Sequence, residues 1–188
     1  MDHVCYDVEI SHTVEEVGGW DFTDKMGVGA AAVWEFATER MRIYGPQDVP
    51  ALQDRLLKAD RISGFNISTF DHYVTFGVRR GDSHEALTRL APKTDDLLDR
   101  IWKALGNREK GWKLNDVAQR TLGVCKVEDG ANAPLLFQSG DWGKLCNYVA
   151  DDVAIERDLT AFVDKYGFLI AGSGRLLRLP PWKPVGAV

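Results

Sequence analysis

No apolar run in this chain comes near the ~20 residues needed to span a bilayer, so a membrane-spanning helix is not expected. The opening MDHVCYDVEI lacks a basic start followed by a long apolar stretch, which leaves out a secretory signal. Cysteine is scarce. Cys5, Cys125 and Cys146 are odd in number, far apart and without a C-x-x-C pair. That argues against a disulfide framework or a zinc site and fits thiols in a reducing compartment, with the cytoplasm as the expected location. Low-complexity tracts and internal repeats are also missing. Lys and Arg are absent from residues 1–24, which carry seven acids, and acids are absent from residues 173–188, which carry Arg175, Arg178 and Lys183. A net charge of −5 offers no broad basic surface for indiscriminate binding to nucleic acid. It is compatible with an enzyme whose acids hold cations, because a bound ion inverts the local sign.

What is present suits a single α/β domain of 188 residues, 45% hydrophobic and 27% charged, long enough to bury a core. Residues 3–10 alternate with period two and predict a strand, with Val4, Tyr6, Val8 and Ile10 on one face and Cys5, Asp7 and Glu9 on the other. Two more strands are expected at 26–35 and 40–44, joined by a hairpin across 36–39. A helix follows Pro50 with Leu52, Leu56 and Leu57 as its buried stripe, and 61–65 is a short strand that Asn66 closes. Helical spacing then covers 68–77, 84–90, 95–105, 114–122 and 142–166, with Gly106 and Gly123 as stops, and 168–172 is strand or simply extended. That order predicts a mixed sheet flanked by helices, a core over about 4–166 and a C-terminal extension over 167–188.

Three acidic stretches stand out. In 7-DVE-9, carboxylates at i and i+2 share one strand face, roughly 7 Å apart along the chain. They repel unless a cation lies between them, and Mg²⁺ prefers such oxygen ligands; the plain alternative is an edge strand with a solvated face. In 64-GFNISTFD-71, Asp71 falls at the start of a helix, where Ser68 and Asp71 also fit a capping pattern that needs no function. In 147-NYVADDVAIERDL-159, a wheel with Leu145 at zero puts Asp152 at about 340° and Tyr148 at about 300°, within or beside the apolar face. Asp151 falls at about 240° on the polar flank, while Glu156 also lands near the stripe. An acid in an apolar stripe is costly unless paired or metal-bound; a frayed helix is the plain alternative. Acids converging from separate segments are what a two-metal phosphodiester site needs.

In this order the three motifs resemble the DEDD-type 3′–5′ exonucleases of the ribonuclease H-like superfamily, in their tyrosine subclass. The resemblance spans about residues 4–166. The family's D-x-E is matched by Asp7 and Glu9, its N-x-x-x-F-D by Asn66, Phe70 and Asp71, and its Y-x-x-x-D by Tyr148 and Asp152. The histidine subclass would place His where this chain has Asn147. The stretches 94-TDDLL-98 and 114-LNDVAQRTLG-123 look like those of small bacterial and phage members. Many relatives follow the first Glu with Thr; here Ile10 and then Ser11 follow it.

The resemblance implies a ribonuclease H-like fold with a mixed central sheet of about five strands, and hydrolysis of nucleic-acid 3′ ends, single-stranded DNA favoured, with two Mg²⁺ or Mn²⁺ ions. Asp7 would bridge both metals, Glu9 and Asp152 would complete the site that activates water, and Asp71 would hold the second metal. Tyr148 would orient the attacking water, while Asn66, Phe70 and Ser11 would contact the terminal nucleotide. Asp96 would stand behind the metal ligands. Trp20 and Phe70 are candidates for stacking on bases. His3, His12, His72 and His84 are scattered and read as structural or surface residues. Any polymerase or helicase partner would act in trans. Two other readings stay open: an exoribonuclease acting on RNA 3′ ends, and a non-catalytic nucleic-acid-binding or adaptor domain of the same fold. The motifs do not account for the loop 11–22.

Overall fold

The computed structural model describes residues 1–125 and 132–184. Strand β1 (His3–Ile10) leads into two short helices, α1 (Val14–Val17) and α2 (Thr23–Met26), and then into the hairpin of β2 (Val28–Glu35) and β3 (Arg40–Tyr44). Helix α3 (Val49–Lys58), strand β4 (Arg61–Gly64), helices α4 (Asp71–Phe76) and α5 (Glu85–Leu90), and strand β5 (Thr94–Asp96) follow. The remaining helices are α6 (Leu97–Leu105), α7 (Leu114–Thr121), α8 (Ala133–Gln138) and α9 (Trp142–Tyr166), and a hairpin of β6 (Phe168–Ile170) and β7 (Leu176–Arg178) comes last.

The sheet is mixed and five-stranded, in the order β3-β2-β1-β4-β5. Strand β1 pairs antiparallel with β2 and parallel with β4, so it lies at the centre. The alternative of a solvated edge strand is thereby overturned: Cys5 and Glu9 are buried as well as Val4, Tyr6 and Val8. On one face, Val4, Tyr6, Val8, Ala31 and Val33 pack against Leu52 and Leu56 of α3, Val74 of α4 and Leu90 of α5. On the other, Cys5, Ala30 and Ala32 receive Leu145, Val149 and Val153 of α9. The alanines matter, because their short side chains let a 25-residue helix lie close to the two central strands.

Three expectations are corrected. The fifth strand of the sheet is Thr94–Asp96, inside the stretch read as helix from residue 95. Residues 168–170 instead pair with β7 in a separate two-stranded sheet. The segment expected as an extension contributes Leu169, Ala171, Leu177 and Leu179 to a core shared with α6, α7 and the last turns of α9, while its residues 185–188 lie outside those described. Helix α8 carries no periodic signal long enough to have been read from the sequence. Among the described residues no helix is long and apolar enough to cross a membrane.

Candidate metal centre

Each acid is placed by a different local device. Asp7 and Glu9 point from β1 toward α9, opposite Ala32 and Ala30 of β2. The β1–β2 register shifts between Glu9 and Ile10, at a bulge where β2 places Gly29. A Cβ at Gly29 would lie 3.0 Å from the Ile10 carbonyl and 3.2 Å from that of Glu9, so glycine permits the close crossing.

Asp71 arrives by way of a sharp turn after β4. A Cβ at Gly64 would lie 2.8 Å from the Tyr6 carbonyl and 2.5 Å from Ile67, and Asn66 adopts a left-handed φ of 72°. Asp96 pins this turn: its carboxylate accepts from the backbone N–H groups of Asn66 (2.8 Å) and Ser68 (2.9 Å) and from the Ser68 hydroxyl. The same carboxylate caps α6 through Leu98 and Asp99. The capping pair expected between Ser68 and Asp71 does not form, because Asp96 takes the serine. Beyond Cys5, β1 has left its pairing with β4, and the Asp71 carboxylate accepts the Val8 N–H at 3.0 Å. The neighbouring His72 anchors this end of α4. Thr94 Oγ1 donates to the Leu90 carbonyl, so His72 donates to Thr94 from Nε2 and accepts from the Tyr6 hydroxyl at Nδ1.

Asp152 and Tyr148 come from α9, both buried, while Asp151 is exposed. The structure brings Asp7, Glu9 and Asp152 together: one carboxylate oxygen from each lies within 4.8 Å of the others. Asp71 joins them through a hydrogen bond with Asp7. Two carboxyl groups share such a bond only when one holds a proton. Burial first, and then the charge of Asp7, push the Asp71 carboxyl well above its usual range. Buried acids in contact are what a site for a hard divalent cation offers, since the ion supplies the missing positive charge. Asp7 is the least buried of the three clustered acids and leaves the cluster an open side.

Tyr148 and Asp152 also line a cleft of about 500 Å³ along α9, together with Cys125, Lys144, Asn147 and Ile155. Lys144 was not singled out by its sequence. The signal is the four-residue spacing Lys144, Tyr148, Asp152, Glu156 along one helix line. Glu156, one turn beyond Asp152, is buried and accepts the Cys5 thiol at 4.0 Å. Other expected residues are engaged elsewhere. The Ser11 hydroxyl is buried and donates to the Met26 carbonyl (2.9 Å), and the Asn66 side-chain oxygen accepts from Thr69 (2.7 Å). Phe70 precedes Asp71 and meets Trp20 edge to face, with ring centroids 5.9 Å apart. His3 and His72 are buried and structural, His84 caps α5, and His12 is exposed. All three cysteines are free thiols.

Comparison of the chain with protein-family models and with curated proteins gives no match.

Proposed function

We propose that this chain is a metal-dependent 3′–5′ exonuclease of the DEDD type, tyrosine subclass, acting on single-stranded nucleic-acid 3′ ends, with DNA favoured. One observation carries the reading: carboxylate oxygens of Asp7, Glu9 and Asp152, from a strand and a helix 145 positions apart, lie within 4.8 Å of one another. The sheet order and strand directions are compatible with the ribonuclease H-like fold that the motifs imply.

The donor set fits Mg²⁺ or Mn²⁺: oxygen only, anionic and largely buried. Asp7, Glu9, Asp71 and Asp152 would hold two such ions, with Asp7 placed to serve both because it touches the triad and Asp71 alike. Bound divalent ions would supply a hydroxide at neutral pH and neutralise charge on the phosphate. The protein's own part is positional. Tyr148, one turn before Asp152, would orient water by its hydroxyl without acting as a strong base. Its burial on α9 keeps the ring in one place. Phe70, fixed beside Asp71, offers a face to the terminal base.

The test is a nuclease assay on 3′-labelled and 5′-labelled oligonucleotides in Mg²⁺, Mn²⁺ and EDTA. Nucleotides should leave from the 3′ end, and EDTA should stop the reaction. Asp152→Asn should lower the rate by about 10³-fold, the order expected on losing a buried electrostatic group at a reacting phosphate. Asp151→Asn should leave it nearly unchanged, because Asp151 is exposed and stands outside the carboxylate cluster. Activity that survives Asp152→Asn or EDTA would sink the assignment.

A further inference from the structure

We infer that the connection between β1 and β2, together with the C-terminal end of α4, forms an aromatic and cationic platform that grips the single strand leading away from the acid cluster. The inference rests on the nuclease reading for what sits in the cluster, and it assigns a role to a loop the motifs leave unexplained.

Four observations support it. Trp20 is 60% exposed, a large apolar surface to leave in water, yet one edge is held against Phe70. Phe70 immediately precedes Asp71, whose carboxyl meets Asp7, so Trp20 stands one ring outward from the site. Next, the Phe22 ring carries two cations, Lys25 Nζ at 4.7 Å and Arg79 Cζ at 4.5 Å from its centroid. Lys25, Arg79 and Arg80 are all exposed and free to meet phosphates. Finally, the loop is tied to the segment that follows α4 before any ligand arrives. The Thr23 hydroxyl donates to the Val78 carbonyl at 2.7 Å, and the Arg80 N–H donates to the Asp21 carbonyl at 3.1 Å. A platform already rigid loses little entropy on binding.

Glu15, Glu16, Asp21 and Asp24 on the same connection outnumber the three cations. Stacking is therefore the main grip and phosphate contact the lesser one. A strand whose 3′ end lies at Asp7 would place its last base at Phe70 and an earlier one at Trp20, with the backbone passing Lys25 and Arg79. Every base has a face to stack, so the platform selects single strands without reading sequence.

The experiment measures fluorescence anisotropy of a 5′-labelled oligothymidylate in EDTA across a salt series. Alongside it, turnover of the p-nitrophenyl ester of thymidine 5′-monophosphate in Mn²⁺ reports on the acid cluster alone. Trp20→Ala should weaken oligonucleotide binding about tenfold, as expected on losing one base-stacking ring. A Lys25→Ala, Arg79→Ala double variant should flatten the log K against log salt slope by about 0.7 for each phosphate that is no longer neutralised. Ester turnover in each protein shows separately whether its acid cluster is assembled. If the wild type binds no oligonucleotide, or both variants match its affinity and salt slope, the platform is refuted even where ester and oligonucleotide are hydrolysed. If the variants weaken binding but the wild type hydrolyses neither substrate, the platform stands and the nuclease reading fails.

Discussion

Replacing Asp71 with Asn should make the metal-free protein more stable while removing its response to metal. In the native chain Asp71 is buried against Asp7, and both burial and that charge raise its carboxyl well above the usual range. Two unit charges about 4 Å apart interact by about 4 kcal/mol at an effective dielectric of 20. Burial adds to that cost, and a proton that relieves it is harder to take up as pH rises, so the wild type carries a burden that grows toward pH 8. An asparagine keeps the acceptor for the Val8 N–H and can donate its amide to Asp7. The gain should be between about 2 and 4 kcal/mol, the lower end allowing for the weaker bond a neutral acceptor makes. For a domain of this size that is on the order of 10 °C in Tm. The sign with pH follows from linkage. A carboxyl whose folded pKa is raised contributes stability at low pH that is lost as pH climbs through the folded value. The gap between the Asp71→Asn and wild-type proteins should therefore open from acid toward pH 8. In Mn²⁺ it should close by most of its size, since ions at one hundred times their Kd stabilise the wild type by about 2.7 kcal/mol and the variant far less. Thermal melts in EDTA and in Mn²⁺ at pH 5 and pH 8 decide it. An Asp71→Asn protein that melts below wild type in EDTA at pH 8, or a wild type indifferent to Mn²⁺, would refute the reasoning.

Asp96→Ala should destabilise the fold by about 2–4 kcal/mol in urea titration, because one carboxylate caps α6 and also satisfies the turn at Asn66 and Ser68; a loss under about 1 kcal/mol would contradict that double role. Acid should weaken the protein through His72, whose pKa burial and then Lys93 lower to about 3. Its folded pKa lies below the unfolded ~6.5, so the unfolded chain protonates first and stability is lost from about pH 6.5 down toward 3. At pH 5 the histidine's share is about 2 kcal/mol, and the fall in stability between pH 7.5 and 5 should shrink by that amount in His72→Gln. An equal fall in both proteins would rule the histidine out.

The clustered acids were legible because their signal is a conflict with their surroundings. Asp152 sits where α9 needs an apolar residue, and the wheel separates it from Asp151 without knowledge of the fold; one is buried and the other exposed. The period of β1 was equally legible, but not that both faces would be covered, since that depends on β4 arriving alongside. Strand β5 was lost to a different cause. Two of its three residues, Asp95 and Asp96, are poor strand formers, and they pair because Asp95 meets Arg61 and Arg100 while Asp96 caps a helix. Arg61 lies 34 residues away, so no local pattern announces it, while the near partners, Arg100 and the first turn of α6, read as the start of a helix. The same holds for Ser68, where a nearby capping pattern gave way to an acid 28 residues away.

The acids are gathered from residues 7, 9, 71 and 152, and the last of them lies on α9. During synthesis, domains build from the N-terminus, and contacts between distant segments form last because loop closure must come first. The strands and Asp71 can take shape while α9 is still being made, but no nascent chain holds three clustered carboxylates until that helix docks on Ala30 and Ala32. The hydrolytic capacity proposed for this cluster would thereby be withheld from every partly folded form. Metal uptake by the proposed site would be the final assembly event, and ion binding in a refolding experiment would serve as a clock for the arrival of α9.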